Sequence, residues 1–517
     1  MGQNTDKNHA AVSEREHLRT DHLLQDIAHR AIAGGFVTGG AQAAKFIINF
    51  LQAAVLARLL NPREFGLVGM VLGVINLVGI FNVLGLSTAT VQRDEITQQQ
   101  VSNLFWLNVV GSGVLAVMCI AMAPLVAWFY RDPRVTWIML ALSVTFVLTG
   151  SAVQHQALLT RQMRFGALGV IEVVSMLVSF VVACLLARLG FAYWALVVQQ
   201  LVVAAMVLVL AWVTSGWRPS LPSRNSGVRP MIAFGVHLTL ADFIARLAAT
   251  SDNILIGRLF GAAPLGLYTR ANVLLARPLQ QVLIPIASIL VPVLSRVQSD
   301  AERYRRTFLR AFELLALVVF PFAALCLALA RPLVLVILGS NWADAVPLFS
   351  AFALVAVSAP LSSIGSWIFE SQGRGGDQLR NHSLAGAVTV AAFLIGLPWG
   401  PLGMVIALAF TSIFIRLPLI YYLVGRSGPV RTSDVWSAFL SYLPCWVAFY
   451  VPTTLAYMSV KSFSPILQLL ICVPTGLAIG AALTFMFRRP REAANYAWRK
   501  LKTSFTRQWG GAYANGD

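Results

Sequence analysis

Residues 56–69 read LARLLNPREFGLVG, and residues 256–269 read IGRLFGAAPLGLYT. Each stretch joins one long apolar segment to the next. Because the same turn between apolar segments occurs twice, we predict two structurally equivalent halves. Aligned without a gap, the identical pairs are Arg58 with Arg258, Leu59 with Leu259, Gly66 with Gly266 and Leu67 with Leu267.

The composition indicates a polytopic membrane protein. Of 517 residues, 57% are hydrophobic and 12% are charged, which is more apolar surface than a soluble core can hide. The formal charge of +18 comes from scattered arginines at segment ends, so nucleic-acid binding is not expected. The five cysteines lie singly in apolar runs. We therefore predict no disulfide, no metal site and no cofactor.

A transmembrane helix needs about 20 apolar residues, and on this basis we predict an all-α fold with about fourteen spans. Their predicted ranges are 33–58, 66–90, 101–129, 135–158, 165–187, 192–214, 231–257, 265–294, 308–329, 344–370, 379–398, 402–424, 434–458 and 464–487. The tenth span could begin earlier, because 332–338 is also apolar.

Charge asymmetry sets the orientation. Lys and Arg concentrate in the tails and even-numbered loops, as after spans eight and fourteen, so both termini are predicted to be cytoplasmic. Six spans separate the repeated turns, which gives the two halves the same orientation and predicts a pathway between them. The predicted regions are a cytoplasmic segment 1–30, a six-helix bundle 31–214, a linker 215–230, a second six-helix bundle 231–425, two extra helices 434–487 and a basic tail 488–517.

Polar stripes mark the predicted pathway. Charge within a bilayer costs about 2.5–3.5 kcal/mol on insertion scales, so it usually faces water or a partner. At 100° per residue, each stripe falls within an arc of about 80°. The stripes are Thr38, Gln42, Lys45, Asn49 and Gln52 in span one; Thr239, Asp242, Arg246, Thr250 and Asn253 in span seven; and Arg270, Arg277, Gln281 and Ser288 in span eight. Span two has a weaker stripe of Gly69, Gly73, Asn76 and Ser87.

These stripes could merely hold helices together, but cations at matching depth on symmetry-related helices favour a hydrated, positively charged cavity. Such a cavity suits an anionic solute such as a lipid pyrophosphate. Asp242 can neutralise Arg246 one turn away. If transport is ion-coupled, Asp242 and Glu172 are the candidate carboxylates. The predicted substrate-binding residues are Lys45, Arg246, Arg270, Arg277, Gln42, Asn49 and Gln281.

Three stretches resemble the bacterial polysaccharide transport family, the repeat-unit flippases for O-antigen and exopolysaccharide. They are LARLLNPREFGLVGMVLGVINLVGIFNVLGLSTATVQRDE (56–95), HLTLADFIARLAATSDNILIGRLFGAAPLGLYTRANVLLARP (237–278) and NWADAVPLF (341–349). The resemblance covers roughly residues 30–425 and implies the superfamily shared with multidrug exporters and the lipid II flippase. It implies two six-helix bundles, helices 1, 2, 7 and 8 around a central cavity, and alternating access.

The lipid II flippase has cavity cations on helices 1, 2 and 8. Lys45 and either Arg270 or Arg277 match helices 1 and 8, whereas span two has no cation and Arg246 in span seven is the candidate substitute. The resemblance implies a non-enzymatic flippase in the bacterial inner membrane. Its substrate would be an undecaprenyl-pyrophosphate-linked oligosaccharide, and its partners a polysaccharide polymerase and a chain-length regulator. The alternatives are a multidrug exporter of the same superfamily and, less favoured because the outer loops are short, a membrane polysaccharide polymerase.

Overall fold

The structure is a computed structural model that describes residues 27–83, 90–91, 96–222, 250–496 and 498–499, without the side chains of 27–38, 82–83 and 359–360. Across these ranges the regular structure is helical and contains no strand. Eleven helices in the described part are long and apolar enough to cross a membrane, and one of them, Gly375–Arg426, covers two predicted spans. The chain is therefore an all-α, multi-pass membrane protein, while the count of fourteen spans stays a prediction.

The chain divides between Gly266 and Leu267 into two compact units. The helices before Gly266 belong to the first unit. The described helices of this unit agree with the predicted spans to within about six residues, except that the predicted span 66–90 is divided at Gly79 and described only to residue 83, and the predicted span 231–257 is described only from residue 250. They are α1 Ile27–Leu59, α2 Pro62–Val78, α3 Ile80–Val83, α4 Gln98–Tyr130, α5 Arg134–Arg161, α6 Phe165–Arg188 and α7 Trp194–Ser215, followed by helical residues 250–260.

Local sequence explains where two of these helices begin. At the start of α2, Pro62 occupies the first helical position, where its missing N–H costs nothing because an N–H there would have no acceptor within the helix. The N–H of Asn61 donates to the Glu64 carboxylate at 2.8 Å. The helix therefore begins four residues before the predicted span. At the start of α4, the Gln100 N–H donates to Thr97 Oγ1 at 3.3 Å and the Thr97 N–H donates to Gln100 Oε1 at 3.1 Å. This reciprocal capping box fixes the helix start.

The second unit contains the remaining helices. They are α8 Ala262–Arg296, whose first residues belong to the first unit, α9 Ala301–Ala328, α10 Ala330–Ile337, α11 Val346–Ser371, α12 Gly375–Gly396, α13 Gly400–Thr411, α14 Leu417–Arg426, α15 Thr432–Ser459 and α16 Pro465–Thr484. Residues 488–496 form a further helix after α16. The predicted linker 215–230 is described only to residue 222, so the predicted domain boundary stays a prediction.

Two irregularities interrupt the predicted spans of this unit. The apolar residues 332–338 do not extend the tenth span. Most of them form the short helix α10, which a turn at Gly339 (φ 102°) separates from α11. Between α13 and α14, Ser412–Arg416 forms one turn of π-helix. A wider turn of this kind shifts the regular helical register by one residue, and this turn ends at Arg416 within the predicted twelfth span.

Candidate functional site

The repeated turns pack directly against each other. A Cβ added to Gly66 would lie 1.7 Å from the carbonyl oxygen of Ala262, and a Cβ added to Gly266 would lie 1.9 Å from that of Pro62. In the alignment of the repeat, Pro62 corresponds to Ala262 and Gly66 to Gly266. The two contacts are therefore reciprocal, as a two-fold relation between the turns requires, and only glycine allows helices to approach so closely.

The small residues of the predicted stripe in α2 continue this packing. A Cβ on Gly69 would meet Leu265 at 3.8 Å, and one on Gly73 would meet Thr250 at 3.6 Å. Gly69 and Gly73 therefore line a helix–helix contact and not an open wall. In the first unit these two glycines therefore face residues of the segment 250–265, at distances that leave room for a methyl group.

Lys45 on α1 forms an ion pair with Glu172 on α6. The side chains of Lys45 and Glu172 keep 19% and 45% of their exposure, so neither charge is fully buried within the protein. One turn away, a Cβ on Gly169 would lie 2.9 Å from the Ala41 Cβ. These small residues bring α1 and α6 close enough for the two charged side chains to meet.

The Lys45–Glu172 pair joins two residues that the sequence predicted for separate roles. Lys45 was expected to contribute positive charge to a cavity, and Glu172 to exchange protons. As a pair, they contribute no net charge to the first unit. Gln42 and Asn49 lie on the same face of α1, with Gln42 exposed and Asn49 half-buried. The face of α1 is therefore polar but locally neutral.

The polar face of α8 has a different charge. No acidic residue occurs along Ala262–Arg296, which contains Arg270 and Arg277. Arg277 is exposed, and among the described residues it has no ion-pair partner within 4.0 Å. Arg270 and Gln281 are half-buried on the same face. Two arginines seven residues apart lie about 10.5 Å apart along the helix axis, which is close to two turns.

Prolines add backbone acceptors to this face. Pro278, Pro285 and Pro292 lie inside α8 at intervals of seven residues. Because proline has no N–H, each leaves the carbonyl four residues earlier without its helical donor. These are the carbonyls of Leu274, Gln281 and Ser288, which lie within about 40° of one another by helical rotation. The face of α8 therefore combines guanidinium donors with carbonyl acceptors.

Two predicted site residues, Asp242 and Arg246, lie outside the described residues, as does Thr239. The described remainder of span seven contains an acidic residue that does not belong to the predicted polar stripe. Asp252 is 7% exposed, and Asn253 beside it has a buried side-chain oxygen without a hydrogen-bond partner in the described part of the chain. The sequence TSDN within an apolar segment was the signal for Asp252, since a carboxylate there needs a partner or water.

Several known proteins are similar to this chain in sequence. The chain is 27% identical over 330 residues to the teichuronic acid biosynthesis protein TuaB of Bacillus subtilis, covering 63% of this chain and 68% of that protein. It is 27% identical over 309 residues to the succinoglycan biosynthesis transport protein ExoT of Rhizobium meliloti, covering 60% and 63%. It is 25% identical over 420 residues to the lipopolysaccharide biosynthesis protein WzxC of Escherichia coli, covering 78% and 83%.

Among solved structures, the fold is similar to the lipid II flippase MurJ in an inward closed conformation. The TM-score is 0.68 at 12% identity, covering 89% of this chain and 99% of that one. It is also similar to an inward-facing multidrug transporter of the MOP superfamily, with a TM-score of 0.51 at 14% identity and coverage of 79% and 95%. These two likenesses show that the chain has the same fold as these two solved proteins.

Residues 55–347, which begin just before the first repeated turn and include the second turn and the whole of α8, match the family model described as polysaccharide biosynthesis protein. More than half of the chain lies within the match, so the chain belongs to the polysaccharide biosynthesis protein family.

Proposed function

We propose that this protein is a flippase that moves an undecaprenyl-pyrophosphate-linked oligosaccharide repeat unit from the cytoplasmic to the periplasmic leaflet. The protein would act in surface polysaccharide or exopolysaccharide biosynthesis. Relatives named for teichuronic acid, succinoglycan and lipopolysaccharide biosynthesis support the substrate class. The fold shared with a lipid II flippase supports translocation of a lipid-linked substrate.

The exposed cation Arg277 on α8, which has no ion-pair partner among the described residues, is the observation that carries the proposal. A guanidinium presents a planar set of donors that matches phosphate oxygens bidentately. Arg270 lies on the same face, and no carboxylate of α8 competes with a substrate phosphate. A charge exposed within a transmembrane helix is expected to face a hydrated path, since contact with acyl chains is costly.

The oligosaccharide has a matching set of groups on the same helix. Sugar hydroxyls both donate and accept hydrogen bonds, so they need acceptors as well as donors. The carbonyls freed by Pro278, Pro285 and Pro292 supply acceptors along α8, and the Gln281 side chain supplies both kinds of group. On α1, Gln42 and Asn49 supply further amides. We infer that the α8 face binds the pyrophosphate and the adjoining sugars.

The Lys45–Glu172 pair gives the α1 face a conditional charge. In the structure Glu172 neutralises Lys45. If a phosphate displaces the carboxylate, or if Glu172 takes up a proton, Lys45 becomes available to the substrate. Glu172 is therefore our candidate for ion coupling, together with Asp242, and Arg246 remains a candidate cation on span seven.

Alternating access explains the repeated glycine turns. With the N-terminus in the cytoplasm, both turns lie at the periplasmic face, and their close packing would close that face. Opening would separate Gly66 from Ala262 and Gly266 from Pro62. We place the protein in the bacterial inner membrane with both termini cytoplasmic, and a polysaccharide polymerase and chain-length regulator are the expected partners.

Reconstitution into liposomes tests the function against its alternatives. A fluorescent undecaprenyl-pyrophosphate-linked oligosaccharide placed in the inner leaflet should become accessible to an external quencher or lectin faster with protein than without. The product should keep its length. Lengthening of the sugar chain would instead favour the polymerase. Export of cationic drugs without lipid movement would favour the multidrug exporter, which the cationic α8 face disfavours.

A further inference from the structure

The cytoplasmic end of the second unit contains a charged pocket that the transport pathway does not use. Its volume is about 260 Å³, and it lies between α9 and the helix formed by residues 488–496. The side chains that determine its chemistry are those of Arg310, Glu313, Arg489, Glu492 and Tyr496. This pocket therefore combines two guanidiniums and two carboxylates in a space of small-molecule size.

Within the described part of the chain, three of these charges have no carboxylate or guanidinium at ion-pair distance. Glu492 accepts a hydrogen bond from Arg488 Nε at 3.0 Å, so its charge is compensated. Arg489 Nη1 donates to Ser437 Oγ at 2.9 Å and Ser441 Oγ at 3.1 Å. Arg310 lies over the Tyr496 ring, with 5.0 Å between the guanidinium carbon and the ring centroid.

Glu313 has no hydrogen bond and no ion pair within 4.0 Å among the residues that the structure describes. Among the described residues, the pocket therefore presents two guanidiniums that contact neutral groups beside one carboxylate that has no ion-pair partner. A cavity with both signs of charge is complementary to a ligand that itself contains both signs.

The pocket lies where membrane head groups are expected. Glu313 is the last charged residue before the apolar run 314–330, which α9 and α10 contain. Arg488 is the first charged residue after the apolar run 465–487, which begins with α16 and extends three residues beyond it. Both apolar runs end at this one level, which marks the boundary of the hydrocarbon core. Basic pockets between transmembrane helices at the cytoplasmic side are typical sites for phospholipid head groups.

We propose that this pocket binds the zwitterionic head group of phosphatidylethanolamine from the cytoplasmic leaflet. The phosphate accepts hydrogen bonds from Arg489 and Arg310, and the primary ammonium donates to Glu313. An anionic head group such as that of phosphatidylglycerol leaves Glu313 unpaired next to a phosphate. A choline head group has no N–H to donate to Glu313, so phosphatidylcholine distinguishes the hydrogen bond from simple charge attraction.

The test measures lipid binding to the purified full-length protein by native mass spectrometry and by the shift of its melting temperature on lipid addition. We expect wild type to bind phosphatidylethanolamine about tenfold more tightly than phosphatidylcholine or phosphatidylglycerol, because a charged hydrogen bond is at stake. Glu313→Gln should remove this preference, and Arg489→Gln should weaken binding of all three lipids. Arg306→Gln is the matched control, since Arg306 is exposed on α9 and pairs with Glu302 outside the pocket.

Several results would overturn the proposal. Tightest binding of phosphatidylglycerol would identify an anionic-lipid site, and an equal shift with inorganic phosphate would identify a free-phosphate site. Equal binding of phosphatidylethanolamine and phosphatidylcholine by wild type would also contradict it, and this comparison needs no variant to fold. Preference retained in Glu313→Gln would exclude the assigned hydrogen bond.

Discussion

The polar faces of α1 and α8 carry the same kind of charge in different surroundings. On α1, Glu172 of the neighbouring helix α6 neutralises Lys45. On α8, Arg277 is exposed and the helix has no acidic residue. The difference teaches that the charge of a polar stripe depends on the helix packed against it. The α8 face is therefore the permanent binding surface in our account, and the α1 face is a conditional one.

The largest expected effect is that of Arg277→Ala. Loss of one charged hydrogen-bonding group costs about 1.5–3 kcal/mol, so transport should fall about 10- to 100-fold. Arg277→Lys should recover only part of the rate, because lysine keeps the charge but not the bidentate fork. The flipping rate in liposomes measures both. Arg296→Ala, an exposed arginine at the end of the same helix, should keep the wild-type rate. Equal rates for all variants would show that Arg277 on α8 does not bind the substrate.

The second largest effect is expected at the repeated turns, one of which follows α1 while the other precedes α8. Gly66→Ala or Gly266→Ala places a methyl group within 2 Å of a backbone oxygen, so the two helix starts must separate. Overpacking of this kind costs about 1–3 kcal/mol, and we expect the flipping rate to fall about tenfold. Gly113→Ala is the control, because a Cβ there has nothing within 4 Å. A wild-type rate in Gly66→Ala would show that the packed turns do not take part in the transport cycle.

A third experiment asks whether the α1 pair is as strong as its geometry indicates. Lys45→Met and Glu172→Gln should each lower the melting temperature, because each leaves a charge or amide without its partner in the membrane. The double variant should lose less than the sum, with a coupling energy of about 0.5–3 kcal/mol. The 45% exposure of Glu172 favours the lower part of that range. Strict additivity would mean that Lys45 and Glu172 do not stabilise each other, and that α1 resembles α8 after all.

The smallest effect is expected for the ion pair between Asp132 and Arg134, two residues apart in the chain. Its contribution to stability can be compared with that of the Lys45–Glu172 pair, which joins two helices. Arg134 donates from Nε and Nη2 to Asp132 at 3.0 and 2.7 Å, and these bonds hold the pKa of the Asp132 carboxyl below its usual value. Because the Asp132 carboxyl has a lower pKa in the folded protein, its ionised form stabilises the fold at pH values above the unfolded pKa near 3.8. This stabilisation is lost as the pH falls through the pKa of the folded state. Asp132→Asn should therefore cost about 0.5–1 kcal/mol at pH 7. Melting curves at pH 7 and at about pH 2, which is below the unfolded pKa, should show a smaller difference in stability between wild type and Asp132→Asn at the lower pH. A difference that stays constant between these two pH values would exclude the ionic contribution.

The sequence was sufficient for features that depend on one helix at a time. Apolar runs predicted helices such as α4 and α5 to within a few residues, and the spacing of Arg270, Arg277 and Gln281 placed them on one face. Each of these inferences uses only local hydropathy or rotation per residue, which one stretch of chain contains by itself.

Features that depend on two helices could not be predicted in the same way. Glu172 is 127 positions from Lys45, and nothing in the spacing of either helix indicates the pairing. The stripe at Gly69 and Gly73 suggested a path, but in the structure these glycines contact Leu265 and Thr250. A small residue can line either a cavity or a close contact, and only the neighbouring backbone decides between them.

The affinity of wild type and Arg277→Ala for undecaprenyl pyrophosphate and for undecaprenol, measured in nanodiscs, tests the central claim most directly. We expect wild type to bind the pyrophosphate at least tenfold more tightly than the alcohol, and the substitution to weaken only pyrophosphate binding. Equal affinity of wild type for both lipids, or unchanged pyrophosphate binding in the variant, would contradict this claim.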